Sequence, residues 1–315
     1  MILPGQLSDL TSKPNLKLSW VLLFLNVGFF VLLSFLYPVW PHSSVRNQLN
    51  DPNFKSSVIK MYLQTLDAVE KQNRALSEAA LFSAALRDQK FWARLDTIAF
   101  VGDQVQITET KKILKEFYTS YLASAHYQLG LGTMELSPWS WLTYQFVHAS
   151  VAHLIGNIFL IFMLVSFLEK KISSEWLAAV YLLSGFAGGA GFLFFDHVGS
   201  LSVVGASASA CGLMGFTLCT QLTRHMPWFY MVAPVKERGY GQIHLPVFFI
   251  FPIFLVSDFV SLLWEPSGVA ANIAVSAHVA GALMGILCGL AYLFLRSKAP
   301  SHSILGDHNG LHELS

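Results

Sequence analysis

Gly205-Ala206-Ser207-Ala208-Ser209 opens an apolar run that continues through Cys211, Leu213, Met214, Phe216 and Leu218. A run of that length reads as a membrane helix. Its first turn offers two hydroxyls, Ser207 and Ser209. Small residues inside a membrane helix serve close packing, because Gly, Ala and Ser let backbones approach. A serine at a helix N-terminus can also be a nucleophile, since unpaired N–H groups there stabilise negative charge. Taken alone the stretch favours packing, and the rest of the chain has to decide.

The composition sets the class. The chain has 315 residues, of which 54% are hydrophobic and 12% charged, with a mean hydropathy of +0.51. A soluble domain carries roughly 25% charged residues, so this chain reads as an all-α polytopic membrane protein. A net charge of +1 gives no reason to expect a nucleic-acid partner. Cys211, Cys219 and Cys288 all lie in apolar stretches and have no CxxC or Cys/His spacing. They predict neither a disulfide framework nor a zinc site, and no metal or cofactor is expected.

Working outward, residues 1–17 form a short polar segment ending in Lys13 and Lys17. Residues 18–37 are long enough to span ~30 Å of hydrocarbon and read as a retained first span, since no small cleavage-site residues follow them. Residues 41–138 differ in kind, holding 11 basic and 10 acidic residues. Val58, Tyr62, Leu66 and Val69 recur at helical spacing, as do Ile113, Leu114, Phe117 and Tyr121. Leu76 to Leu95 is Ala-rich and helical in character, and Val101 to Ile107 reads as a short extended piece. This is a helical extramembrane insert between the first and second spans. Residues 139–296 are apolar again, with further spans at about Trp141–Leu168, Trp176–Phe195, Gly205–Leu222, Leu245–Trp264 and Asn272–Leu295, making six. A polar tail fills 297–315.

Basic residues follow the second, fourth and sixth spans, and the loops after the third and fifth hold no Lys or Arg. The positive-inside rule then puts both termini in the cytoplasm and the insert outside, because long loops escape the charge rule. Even-numbered spans therefore start at the outer face. Their first turns collect the unusual polar residues: His148, His153 and Asn157 in the second, Ser207 in the fourth, His278 in the sixth. Ionisable residues at membrane depth are costly and are functional candidates by default. A serine hydroxyl needs a base to take its proton, and an imidazole, with an ordinary pKa of about 6.5, can do so. His153 and Asn157, four apart, share a helix face and can both donate to one oxygen, as an oxyanion requires. No Asp or Glu completes a triad, so a Ser207–His278 dyad is the simpler proposal. Each residue alone also admits a packing role; the set at matched depth is harder to explain that way.

These residues resemble the rhomboid intramembrane serine proteases over about residues 142–290. Leu142-Thr143 through His148, with His153-Leu154-Ile155-Gly156-Asn157, look like the family's second helix, which Glu169 ends as the family's acidic residue does. Gly205-Ala206-Ser207 matches Gly-x-Ser, and Ala277-His278 with Gly281 and Gly285 matches the Ala-His-x-x-Gly-x-x-x-Gly pattern of the last helix. The resemblance implies a six-helix rhomboid-like bundle with Ser207 as nucleophile and His278 as general base. It implies an oxyanion hole from His153 and Asn157, with His148, Gly205, Gly281 and Gly285 in support. It implies cleavage of transmembrane protein substrates within the lipid bilayer near the outer face, without metal or cofactor, and a mobile fifth span as the gate. Ala208 stands where the family usually has Gly, and Cys211 where bacterial members often have a Tyr that stacks on the histidine. The compact layout suggests a bacterial inner membrane.

Two other readings stay open. An inactive rhomboid-like protein would bind membrane clients without cutting them. A transporter would use the intramembrane His and Asn residues for ions, but it would be expected to show repeated halves or paired charges, and Asp258 is the sole acid within a span.

Overall fold

The computed structural model describes residues 2–4, 17–38, 43–67, 77–132, 137–195, 202–231, 240–248 and 272–298. The chain is mostly helical. In order, the elements are β1 (Ile2–Pro4), α1 (Leu18–Leu36), α2 (Ser43–Gln48), α3 (Pro52–Thr65), α4 (Glu78–Arg87), α5 (Gln89–Arg94), α6 (Gln104–Leu122), α7 (Ala125–Leu129), α8 (Ser140–Thr143), α9 (Val151–Leu168), α10 (Ser174–Phe195), α11 (Ser207–Gln221), β2 (His225–Met231), β3 (Tyr240–Pro246) and α12 (Asn272–Lys298).

Four helices among the described residues are long and apolar enough to cross a membrane: α1, α9, α10 and Val275–Lys298 of α12. They match the expected first, second, third and sixth spans. Two boundaries differ. The second span was expected to begin at Trp141, yet α9 starts at Val151. Ser150 ends the preceding turn by capping the helix, its hydroxyl accepting from the His153 N–H at 3.1 Å. His153 is therefore in the first turn of α9 and His148 lies before it. The fourth span is α11, only 15 residues long, or about 22 Å, and so shorter than a full crossing. The expected fifth span lies almost wholly outside the described residues. Its first two residues, Leu245 and Pro246, end β3 instead.

The strands also correct the all-α expectation. β1, β2 and β3 form an antiparallel sheet in the order β1-β2-β3, with Ile2 opposite Tyr230 and Met226 opposite Leu245. The loop after α11 carries basic residues, but also the aromatic, strand-favouring run Trp228, Phe229 and Tyr230, which is the residue type that a sheet takes. Met226 and Val247 are buried in the bundle core, and the Val247 N–H donates to Arg224 O at 3.0 Å, which ties the hairpin to the end of α11.

Side chains join α1 to α9. Trp20 meets Phe162 edge-on at 5.1 Å. At the N-terminus of α1 the Glu169 carboxylate accepts from Ser19 Oγ at 2.6 Å and more distantly from the Ser19 N–H, where the helix dipole favours negative charge.

The described residues of 52–122 form a helical unit with its own apolar core, including Val58, Tyr62, Ala85, Phe91 and Leu114. Three of its helix starts are capped by an aspartate. Asp51 caps α3, Asp88 caps α5 and Asp103 caps α6, each accepting backbone N–H bonds from the helix that it starts. Asp88 also accepts from the buried Tyr62 hydroxyl at 2.9 Å. The Ala-rich stretch is accordingly two helices broken at Asp88. The extended piece expected over Val101 to Ile107 is a loop and a helix start, because Gly102 at φ +142° turns the chain and Asp103 nucleates α6. Val69 lies outside the described residues.

Candidate active site

The nucleophile candidate is placed by a bend. Gly205 has φ +122°, a conformation that L side chains rarely adopt. Its N–H donates to Tyr144 O at 2.8 Å. A Cβ there would sit 2.7 Å from His153 Cε1 and 2.9 Å from its Nε2, with Asn157 Nδ2 at 3.6 Å. The bend therefore lies directly against both α9 residues. Two positions later α11 begins at Ser207, with Ala206 at the cap and no side chain capping the helix. Its first N–H groups have no partner within the helix.

α12 brings the imidazole. His278 Nε2 lies 2.8 Å from Ser207 Oγ, within reach for proton transfer. Glycine makes this approach possible. A Cβ at Gly281 would overlap the Ala208 backbone, and one at Gly285 the Gly212 backbone. α11 and α12 therefore meet main chain to main chain, and α10 closes on the same region, where a Cβ added at Gly188 would overlap Ala208 Cβ and lie 3.0 Å from Ala277 O.

A cavity of about 300 Å³ opens over these groups, lined among others by Tyr144, His153, Asn157, Gly205, Ser207 and His278. The buried Asn157 Nδ2 has no hydrogen-bond partner among the described residues. It is a donor at the cavity wall whose burial without a partner costs about 1–3 kcal/mol. An anionic oxygen placed between it, the His153 ring and the first N–H groups of α11 would receive several donors at once.

His148 is brought next to this group but not onto the dyad. Its ring meets His153 edge-on at 5.3 Å, and its Nδ1 lies 3.2 Å from Phe146 O. A carbonyl only accepts, so Nδ1 carries the proton. Ser209 is set apart from Ser207. It is fully buried and donates to Gln145 Oε1 at 3.0 Å. Two residues in the site region were missed in the sequence. Tyr144 holds Gly205, and its hydroxyl donates to Gly185 O. Gln145, fully buried, holds Ser209. An amide and a phenol beside His148 were the available signal. No group of three or more His, Cys, Asp or Glu among the described residues is placed to hold a metal ion.

A family model described as the Rhomboid domain matches residues 135–295. The chain is also similar to mouse Rhomboid-related protein 2, at 29% identity over 158 residues, which cover 48% of this chain and 47% of the mouse protein. The chain thus spans about half the length of that curated relative. The domain match covers just over half of the chain and contains every residue of the cavity, and on that ground the chain belongs to the rhomboid family.

Proposed function

We propose that the protein is an intramembrane serine endopeptidase that cleaves transmembrane segments of other membrane proteins near the outer face. The observation that carries this reading is the 2.8 Å separation of Ser207 Oγ and His278 Nε2 beside an unpartnered Asn157 amide. His278 Nε2 takes the Ser207 proton as Oγ attacks the scissile carbonyl carbon. The carbonyl oxygen becomes an oxyanion, held by Asn157, His153 and backbone N–H groups at the start of α11. The tetrahedral intermediate collapses, the C–N bond breaks, and the imidazolium returns its proton to the leaving amine nitrogen. Water, deprotonated by His278, then attacks the acyl-Ser207 ester and releases the second product with Ser207 restored. No cofactor enters these steps.

The test is cleavage of a reporter transmembrane substrate in reconstituted membranes. Ser207→Ala and His278→Ala should abolish turnover, and Ser207→Ala should abolish labelling by a fluorophosphonate. Asn157→Ala should lower kcat by about 10²–10³, as loss of one oxyanion donor does. Ser209→Ala should leave the reaction in place. Activity that survives Ser207→Ala would overturn the assignment. Client binding without cleavage by the wild type would favour an inactive rhomboid-like protein.

A further inference from the structure

The nucleophile is delivered by a short segment, Ser202–Ala206, and that segment is held at three points, two of them on residues that precede the family-matched region. Val203 pairs with Leu131 through two backbone hydrogen bonds, at 2.8 and 3.0 Å. Gly205 is tied to Tyr144 O. The third anchor is Tyr121, on the last turn of α6. Its hydroxyl accepts from the Ser202 N–H at 2.9 Å and shares a hydrogen with Ser202 Oγ at 2.8 Å.

From this geometry we infer that Tyr121 is a positioning residue for the reaction proposed at Ser207, acting through Ser202; the inference rests on that proposed reaction. Both polar groups of Ser202 end on one phenol oxygen, which fixes the residue's backbone and side chain together. The phenol itself cannot wander. It is 1% exposed and packs edge-on against Tyr127 at 5.4 Å. Burial raises its pKa while the Ser202 hydrogen bonds oppose this, so it remains a neutral hydroxyl near pH 7. The contact is close by construction. A Cβ at Gly132 would lie 2.7 Å from Ser202 Oγ, and one at Gly130 would lie 2.7 Å from Ser202 Cβ. With 202, 203 and 205 each tied down, the Gly205 bend has one place to lie, against His153 and Asn157. The same α6 carries Leu114 in the core of the 52–122 unit. The Tyr121 hydroxyl thus links α6 to the segment that delivers the nucleophile.

The test compares wild type, Tyr121→Phe, Ser202→Ala and the double variant in reconstituted membranes. Tyr121→Phe keeps the ring and should lower kcat about 10-fold, the equivalent of one lost hydrogen bond, with KM unchanged. Fluorophosphonate labelling of Ser207 should slow in parallel, and the Ser202 amide should exchange faster with deuterium. Ser202→Ala keeps the backbone bond and should cost less. The double variant should be no worse than Tyr121→Phe, since both act through one contact. Unchanged kcat in folded Tyr121→Phe, or additive effects in the double variant, would overturn the role while leaving the hydrolase reading intact. A wild type inert toward both substrate and probe would overturn the hydrolase reading and this role with it.

Discussion

The bundle around Ser207 and the helical unit of 52–122 are both made of helices, yet they are held by opposite means. In the unit, large side chains fill the space between helices. Tyr62, Phe91 and Leu114 are fully buried, and aspartates cap three helix starts. In the bundle, α11 and α12 are joined where side chains are missing. Gly281 faces Ala208 O and Gly285 faces Gly212 O. With the charged unit proposed to lie outside the membrane, water explains the difference. Outside a membrane, burying apolar area drives packing at about 25 cal/mol per Å². In lipid that drive is absent between helices, and close van der Waals contact between backbones takes its place. The same close contact brings an imidazole on one helix within 2.8 Å of a hydroxyl on the next.

The contrast can be broken in order of severity. Gly285→Leu places a branched side chain where Gly212 backbone lies, and should cost more than about 4 kcal/mol. Thermal unfolding in bicelles should fall steeply, and fluorophosphonate labelling of Ser207 should vanish. Phe91→Ala empties the core of the unit and should cost about 3–5 kcal/mol. Hydrogen exchange should rise over α3–α6 while the amides of α11 and α12 keep their protection. A joint loss would show that the two regions unfold as one. Asp88→Ala removes the α5 cap and the carboxylate that accepts from the buried Tyr62 hydroxyl, for about 2–3 kcal/mol. Asp103→Ala, at an exposed cap, should cost about 1 kcal/mol, seen as fraying confined to the first turn of α6.

Much of the site was legible because its residues break the rules of their surroundings. His153, Asn157 and His278 stand out in apolar runs where polar groups are costly, and Gly205 stands before a serine at a helix start. Tyr144 and Gln145 did not stand out, because a single polar or aromatic residue at the edge of a span has no spacing to mark it. The α9 boundary was misplaced for a related reason. Trp141, Leu142, Phe146 and Val147 lead without a marked break into the apolar run of α9, and Ser150 reveals itself as a cap only through its bond to the His153 N–H. The sheet pairs three segments, one of them from the far end of the chain, and a single aromatic run, Trp228 to Tyr230, is its one local mark.

By itself the sequence determined the membrane class and four of the spans and put forward the candidate dyad, because hydropathy, periodicity and rare polar residues are local properties. Only the tertiary structure decided that the Gly205 bend rests on His153 and Asn157, that Ser209 turns away to Gln145, and that Tyr121 reaches Ser202 from 81 positions away. These are contacts between distant segments, set by how closely glycine-faced helices can approach, and no one-dimensional pattern records that distance.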